Sequence, residues 1–72
     1  MVEVRAEMTA SVWQVHTEVG AGVAAGDVLV ILESMKMEIP VTAPVAGTVS
    51  EVRVAAEETV KEGDVIAVIE ET

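Results

Sequence analysis

The sequence predicts an all-β fold: a flattened β-barrel or sandwich of two four-stranded halves related by a pseudo-twofold axis. The first observation is composition, because 16 Val and four Ile stand against only two Leu. Such β-branched side chains fit a pleated sheet and lose rotamer freedom in a helix. The second is the alternation of apolar and polar residues at a period of two over 2–8. The third is an internal repeat.

The repeat appears when the chain is compared with itself at an offset of 37 residues, without a gap. Gly26-Asp27-Val28 then falls on Gly63-Asp64-Val65, and the apolar positions on both sides of this match continue in step. Residues 1–35 and 38–72 are therefore two copies of one unit. We expect them to form a single domain spanning 1–72, since this length supports only one small core.

Each copy predicts four short strands in the same order. The predicted ranges are 2–7, 10–16, a short strand within 17–26, and 28–33 in the first copy, and 38–43, 47–54, a short strand within 55–63, and 65–70 in the second. Pro40 suits an edge strand, because proline has no N–H for a ladder. Glycines are expected to mark bends: Gly20, Gly22, Gly26, Gly47 and Gly63. The symmetry predicts that the two termini lie side by side, at the end of the domain opposite a 34–37 hairpin.

Composition also excludes several classes of function. The formal net charge is −9, with 13 acidic and four basic residues, which opposes binding to nucleic acid or to an anionic membrane surface. The absence of cysteine and the single histidine, His16, exclude disulfides, Cys-based zinc sites and multi-histidine sites. A domain this small is a poor host for a deep catalytic pocket. The N-terminal segment does not resemble a signal peptide, so a cytoplasmic location is expected.

The predicted hairpin departs from the usual rules for a tight turn. Its sequence, Glu-Ser-Met-Lys-Met-Glu over 33–38, lacks the glycine or asparagine that two-residue turns favour. It also places two thioethers at a solvated tip, and its lysine falls at the junction, where only one copy can supply it. Such local departures are typical of functional sites. The ordinary alternative is that Lys36 only aids solubility while Met35 and Met37 pack back onto the core.

The hairpin and its surroundings resemble the biotinyl domain family, also called biotin carboxyl carrier domains. The resemblance rests on 33–38, on Gly26-Asp27-Val28 before it, and on Ala43-Pro44 and Gly47-Thr48-Val49 after it. It extends over essentially the whole chain, and it implies the fold that biotinyl and lipoyl domains share.

By this resemblance, Lys36 is the site of covalent biotin attachment. Met35 and Met37 would frame it for a biotin protein ligase, with Ser34 and Glu33 contributing to recognition by the ligase and by partner enzymes. The family mostly has alanine where this chain has Ser34, and glycine where it has Glu57, which the repeat matches to Gly20.

The implied function is that of a monomeric, non-catalytic carrier in an acyl-CoA carboxylase-like system. Biotin on Lys36 would take a carboxyl group from biotin carboxylase to carboxyltransferase. The sequence shows no protruding thumb and no Ala/Pro-rich linker, which suggests a free-standing carrier. One alternative is a lipoyl domain carrying lipoate, although the methionines on both sides of the lysine favour biotin. Another is an unmodified β module used in assembly.

Two other features have ordinary interpretations. His16 with Ser11 or Ser50 is a weak candidate for a catalytic triad, since all three fall in predicted strands with no pocket implied. We expect His16 to be solvent-facing or satisfied by a neighbour. Trp13, the only aromatic residue, has Ser50 as its counterpart in the second copy. Trp13 is expected to cover either one face of the barrel or a partner surface, and burial is the preferred expectation.

Overall fold

The computed structural model describes residues 1–71, which contain eight strands and no helix. The strands are β1 Val2–Arg5, β2 Ala10–Val15, β3 Gly22–Val23, β4 Val28–Ser34, β5 Met37–Thr42, β6 Gly47–Val52, β7 Thr59–Val60 and β8 Val65–Glu71. The predicted order and type are confirmed. The predictions for β1 and β6 ran two residues too far; beyond β1, the Ala6 N–H donates to the Asp64 carbonyl. No helix that could span a membrane is present in this part of the chain.

The strands form two four-stranded antiparallel sheets that pack face to face. The sheet that contains the hairpin, with order β5-β4-β2-β7, is called the hairpin sheet; the other, with order β1-β8-β6-β3, is called the terminal sheet. Each sheet takes two strands from each half of the sequence, so the halves are intertwined. The all-β sandwich predicted from the sequence is confirmed.

The pairing registers of the two sheets show the pseudo-twofold symmetry directly. Leu32 pairs with Ile39 in the hairpin sheet. Their equivalents in the repeat, Ile69 and Val2, pair in the terminal sheet. Both central ladders have a register shift at equivalent places, between Val12 and Gln14 and between Val49 and Glu51. The 37-residue repeat is therefore a structural repeat.

The core lies between the sheets and uses equivalent positions of both halves. Its largest fully buried side chains are Leu29, Leu32, Ile66, Ile69, Val12, Val30 and Val49. Leu29 is equivalent to Ile66, and Leu32 to Ile69, so each half contributes the same pattern. Burying a side chain of this size stabilises the fold by about 1.5–3 kcal/mol, before the loss of conformational entropy is subtracted.

The termini and the hairpin lie at opposite ends of the molecule, as predicted. The β1–β8 pairing places the two ends of the chain beside each other. The 43–46 connection joins the end of β5 remote from the hairpin to Gly47, which pairs with Glu71 in the terminal sheet. The molecule measures 35 × 17 × 17 Å. β5 is an edge strand, which confirms the expectation for Pro40.

The expectation that every glycine marks a bend is wrong for two of them. Gly22 and Gly47 begin strands, and Gly47 is buried. A Cβ at Gly47 would lie 2.2 Å from the Glu70 carbonyl oxygen, so glycine is needed there because β8 passes so close. Glycine at 20, 26 and 63 has positive φ, as a turn requires.

The expectation that Trp13 is buried is also wrong, since 44% of its surface is exposed. Trp13 is the extra residue at the register shift between Val12 and Gln14 of the β2–β4 ladder. Val12 points into the core and is 1% exposed. The next side chain along an extended strand points the opposite way, so Trp13 lies on the outer face of the hairpin sheet.

Candidate functional site

The candidate site is the two-residue turn that joins β4 to β5. Ser34 pairs with Met37, which closes the ladder directly below Met35 and Lys36. These two residues have φ values of 52° and 65°, the combination found in a type I′ turn. Neither residue is glycine or asparagine, so each conformation costs about 1–2 kcal/mol. The ladder therefore holds Lys36 in a strained and well-defined position.

The methionines of the turn do not fold back onto the core. Met35 is 91% exposed and Met37 is 61% exposed. Lys36 is exposed as well, while Ser34 is half-buried and faces the same side of β4 as Leu32. The ordinary interpretation of the hairpin sequence, in which the thioethers pack inward, is wrong. The turn instead presents a primary amine between two exposed apolar side chains.

The charges around the turn leave this amine unpaired. Glu33 and Glu38 lie directly opposite each other in the β4–β5 ladder, where like charges repel. Within residues 1–71 the salt bridges are Arg5–Glu3 and Arg53–Glu51, neither of which involves the turn. The Lys36 Nζ atom is consequently exposed and not held in an ion pair.

The arrangement fits acylation of the lysine. An amide bond at Nζ needs an accessible amine on a segment that enters another enzyme's active site without unfolding. The turn supplies both, and amide formation removes only the charge of a lysine that no carboxylate holds in an ion pair. The residues present therefore fit covalent attachment of a carboxylic acid such as biotin.

The weak triad candidate is not supported by the structure. His16 Nε2 lies 2.7 Å from Gln14 Oε1, and both side chains are exposed. The Ser50 hydroxyl donates instead to the Val68 carbonyl at 3.2 Å. Across residues 1–71, no cluster of three or more His, Cys, Asp or Glu side chains is placed to hold a metal ion.

The outer face of the hairpin sheet, which begins three residues below the turn, was not predicted as a site. Trp13, Ile31 and Pro40 lie there, on three neighbouring strands. A signal for this face was present, because Trp13 has only a serine as its counterpart in the second half.

Comparison with known proteins gives consistent results. The Biotin_lipoyl family model, described as "Biotin-requiring enzyme", matches residues 3–69. A relative from Mycobacterium leprae, named biotinylated protein TB7.3 homolog, is 57% identical over 67 residues, covering 93% of this chain and 94% of the relative. The biotin/lipoyl attachment protein of Bacillus subtilis is 43% identical over 60 residues, covering 83% of this chain and 82% of that protein.

Among solved structures, a single-chain, multi-domain long-chain acyl-CoA carboxylase is similar, with 35% identity and a TM-score of 0.92. The match covers 99% of this chain but 7% of that one, so this chain corresponds to a small part of the carboxylase. Because the family model and the M. leprae relative both extend over nine-tenths of the sequence, the chain belongs to the Biotin_lipoyl family of biotin-requiring enzymes.

Proposed function

We propose that the chain is a biotin carboxyl carrier, with biotin joined through an amide bond to Nζ of Lys36. The observation that carries this proposal is the position of Lys36: an unpaired amine on a strained, exposed turn, held by the Ser34–Met37 pair. The family match supports the identity of the attached group, as does the name of the M. leprae relative, a biotinylated protein.

Attachment is the step in which this chain's own atoms react. A biotin protein ligase presents the activated carboxyl group of biotin, and the neutral Lys36 amine attacks its carbon. The N–C bond forms as AMP leaves, and the nitrogen gives up a proton. Because β4 and β5 are paired up to the residues next to the turn, the amine reaches the ligase on a rigid support.

The residues beside the lysine have supporting roles in this proposal. Met35 and Met37 offer soft apolar surface that packs into partner pockets of differing shape. Ser34 anchors the turn from the core side, and Glu33 adds negative charge that steers the turn toward basic active-site rims.

Bound biotin supplies the ring nitrogen that carries the carboxyl group. The chain itself tethers that group, which raises its effective concentration at each active site it visits. We place the chain in an acyl-CoA carboxylase-like system, supported by its 0.92 TM-score to part of a long-chain acyl-CoA carboxylase. Biotin carboxylase and carboxyltransferase are then its working partners, and the catalysis belongs to them.

A monomer is part of the same proposal. Edge strands pair with other chains unless something blocks them. The β5 edge contains Pro40, and the β1 edge is only four residues long and carries Glu3 and Arg5. Sedimentation equilibrium should give the mass of one chain at micromolar concentration, whereas a dimer mass would contradict this part of the proposal.

Intact-mass spectrometry tests the attachment. The wild-type chain and the Lys36→Arg and Lys61→Arg variants are produced in a host with active biotin and lipoate ligases. The wild type and Lys61→Arg should show one biotinyl increment, and Lys36→Arg none. A lipoyl increment would support the lipoyl alternative. No adduct on any variant would support an unmodified module and contradict the carrier proposal.

A further inference from the structure

The outer faces of the two sheets differ, although the strands beneath them are equivalent. The hairpin sheet carries Trp13, Ile31 and Pro40 at positions where the terminal sheet carries Ser50, Val68 and Glu3. The exposed hydrogen-bonded pair Gln14–His16 is likewise replaced by the ion pair Glu51–Arg53. The symmetry therefore provides an internal comparison of what the fold requires at each position.

The three apolar residues lie on neighbouring strands of the hairpin sheet, and we call this surface the Trp13 face. Gln14 pairs with Ile31, and Ile31 pairs with Pro40, so these side chains form one row across three strands. Trp13 lies beside this row at the register shift. Ile31 lies between the buried Val30 and Leu32, so its side chain points outward. Ile31 is half-buried and Pro40 is exposed.

The equivalent place on the terminal sheet exposes less apolar surface. There the Ser50 hydroxyl donates to the Val68 carbonyl at 3.2 Å and lies 3.7 Å from Met1 Sδ, and Val68 itself is buried. The Arg5–Glu3 and Arg53–Glu51 ion pairs lie on the neighbouring segments. This largely polar surface occurs on equivalent strands with an equivalent register. A large aromatic side chain left exposed where a serine suffices is typical of an interaction surface.

The rim of the Trp13 face is acidic. Glu33 and Glu38 lie between the face and the turn, on the same side of the sheet. On the other side of β2, the Val12 backbone exchanges hydrogen bonds with Glu57 and Glu58, whose side chains are exposed. None of these four carboxylates is in a salt bridge with any residue of the 1–71 segment, and Glu58 Oε1 accepts a hydrogen bond from the Ala55 N–H at 2.7 Å. A complementary surface is apolar at its centre and basic around it.

We propose that the Trp13 face is a docking surface for the biotin protein ligase, an inference that rests on the proposed function of Lys36. Ile31 is three residues from Ser34, or about 10 Å along the strand. In the ligase reaction the reacting atom is Lys36 Nζ itself, so the ligase surface must close around the turn and over the sheet beside it. A carboxylase active site, in contrast, is reached by the long biotin arm and does not require contact with the sheet.

A second copy of the chain is a poor occupant of this face. The chain has a net charge of −9, and two acidic rims brought together would repel each other. A basic-rimmed enzyme surface is attracted by the same charges, which speeds association at low ionic strength.

The test measures the kinetics of biotinylation with purified biotin protein ligase, biotin and Mg-ATP. The key variant is Trp13→Ser. It copies Ser50, the residue at the equivalent bulge of the terminal sheet, so serine is compatible with this backbone. We expect kcat/KM to fall by about tenfold or more, mainly through a higher KM, because loss of an exposed tryptophan anchor weakens docking and leaves the amine in place. The control is Val19→Ala, which removes another exposed apolar surface, 63% exposed, and copies Ala56.

Two further measurements separate docking from folding and chemistry. Thermal unfolding should show Trp13→Ser folded at the assay temperature, and excess ligase should drive it to full biotinylation. Trp13→Phe should recover most of the wild-type kcat/KM. Raising the salt concentration should lower kcat/KM of the wild type, because it screens the acidic rim.

The proposal is overturned if Trp13→Ser has the wild-type kcat/KM, or if Val19→Ala loses as much activity. It is also overturned if Trp13→Ser is biotinylated normally but, once biotinylated, is a poor substrate for biotin carboxylase, since the face would then serve that partner. If wild-type protein acquires no biotin at all, the proposed function has failed, and this outcome is distinct from all of those.

Discussion

Gly20 and Glu57 occupy the same position in the two halves, and both have positive φ, 93° and 73° respectively. Their N–H groups make equivalent hydrogen bonds, from Gly20 to the Val49 carbonyl at 2.8 Å and from Glu57 to the Val12 carbonyl at 2.7 Å. The backbone is therefore the same in both turns. Only the second turn places a Cβ in the left-handed region.

Glu57→Gly should stabilise the domain by about 1 kcal/mol. Relief of the left-handed conformation gains about 1–2 kcal/mol, and the greater freedom of glycine in the unfolded chain takes back about 0.4–1 kcal/mol. Urea denaturation gives the free energy of unfolding. The reverse change, Gly20→Ala, meets nothing within 4 Å and should destabilise by a similar amount. Unchanged stability in both variants would show that neither turn is strained.

Gly47→Ala should destabilise the domain by about 1–3 kcal/mol, the range for overpacking a dense interior. The added Cβ would meet the Glu70 carbonyl oxygen at 2.2 Å and Ile69 Cγ2 at 2.9 Å. Gly22→Ala is the matched control, because it also begins a strand but its Cβ would meet nothing within 4 Å. Thermal unfolding should show a lower midpoint only for Gly47→Ala. Equal midpoints would contradict the close approach of β8.

The turn should be more stable with residues that tolerate positive φ at positions 35 and 36. Met35→Asn and Lys36→Gly each place a residue that tolerates positive φ, and each should raise the free energy of unfolding by about 1 kcal/mol. The same Lys36→Gly protein should acquire no biotin, so stability and function are opposed at this position. Chemical denaturation and intact-mass spectrometry measure the two effects. A loss of stability in both variants would mean that the turn is relaxed in the wild type.

The two aspartate turns should contribute equally to stability. Asp27 Oδ2 accepts a hydrogen bond from the Ala24 N–H, and Asp64 Oδ2 accepts one from the Lys61 N–H, each at 2.9 Å. Both sites are exposed, so Asp27→Ala and Asp64→Ala should each cost about 1 kcal/mol. Urea denaturation should place the two variants within about 0.5 kcal/mol of each other. A large difference would show that the halves are energetically unequal despite their common geometry.

Most of the fold was predictable from the sequence because two patterns reinforce each other. Period-two alternation indicates which residues of a strand face the core. The repeat then indicates which strands are equivalent, and hence that the β4–β5 pair has a counterpart in β1–β8. The repeat also singled out Lys36. Residues 36 and 37 lie between the copies 1–35 and 38–72, so neither copy contains an equivalent of them.

The features that the sequence did not predict depend on contacts between distant segments. Trp13 was expected to be buried because it is large and aromatic, whereas its position directly after the buried Val12, at a register shift, directs it outward. Glycine in a strand resembles glycine in a turn until the neighbouring β8 backbone is in place, which is why Gly47 was misread.

Because β1–β8 and β4–β5 have matching registers, the chain corresponds to a circular chain of eight strands that is opened at one connection. Twice the 37-residue offset is two more than the 72 residues of the chain, so the repeat needs two additional residues to close. Those two positions are the counterparts of Lys36 and Met37. Inserting Lys-Met between the last and first residues of a circularised chain would therefore create a second, opposite tip. Opening the ring at the original tip would give a circular permutant with the same sheets and its lysine at the other end.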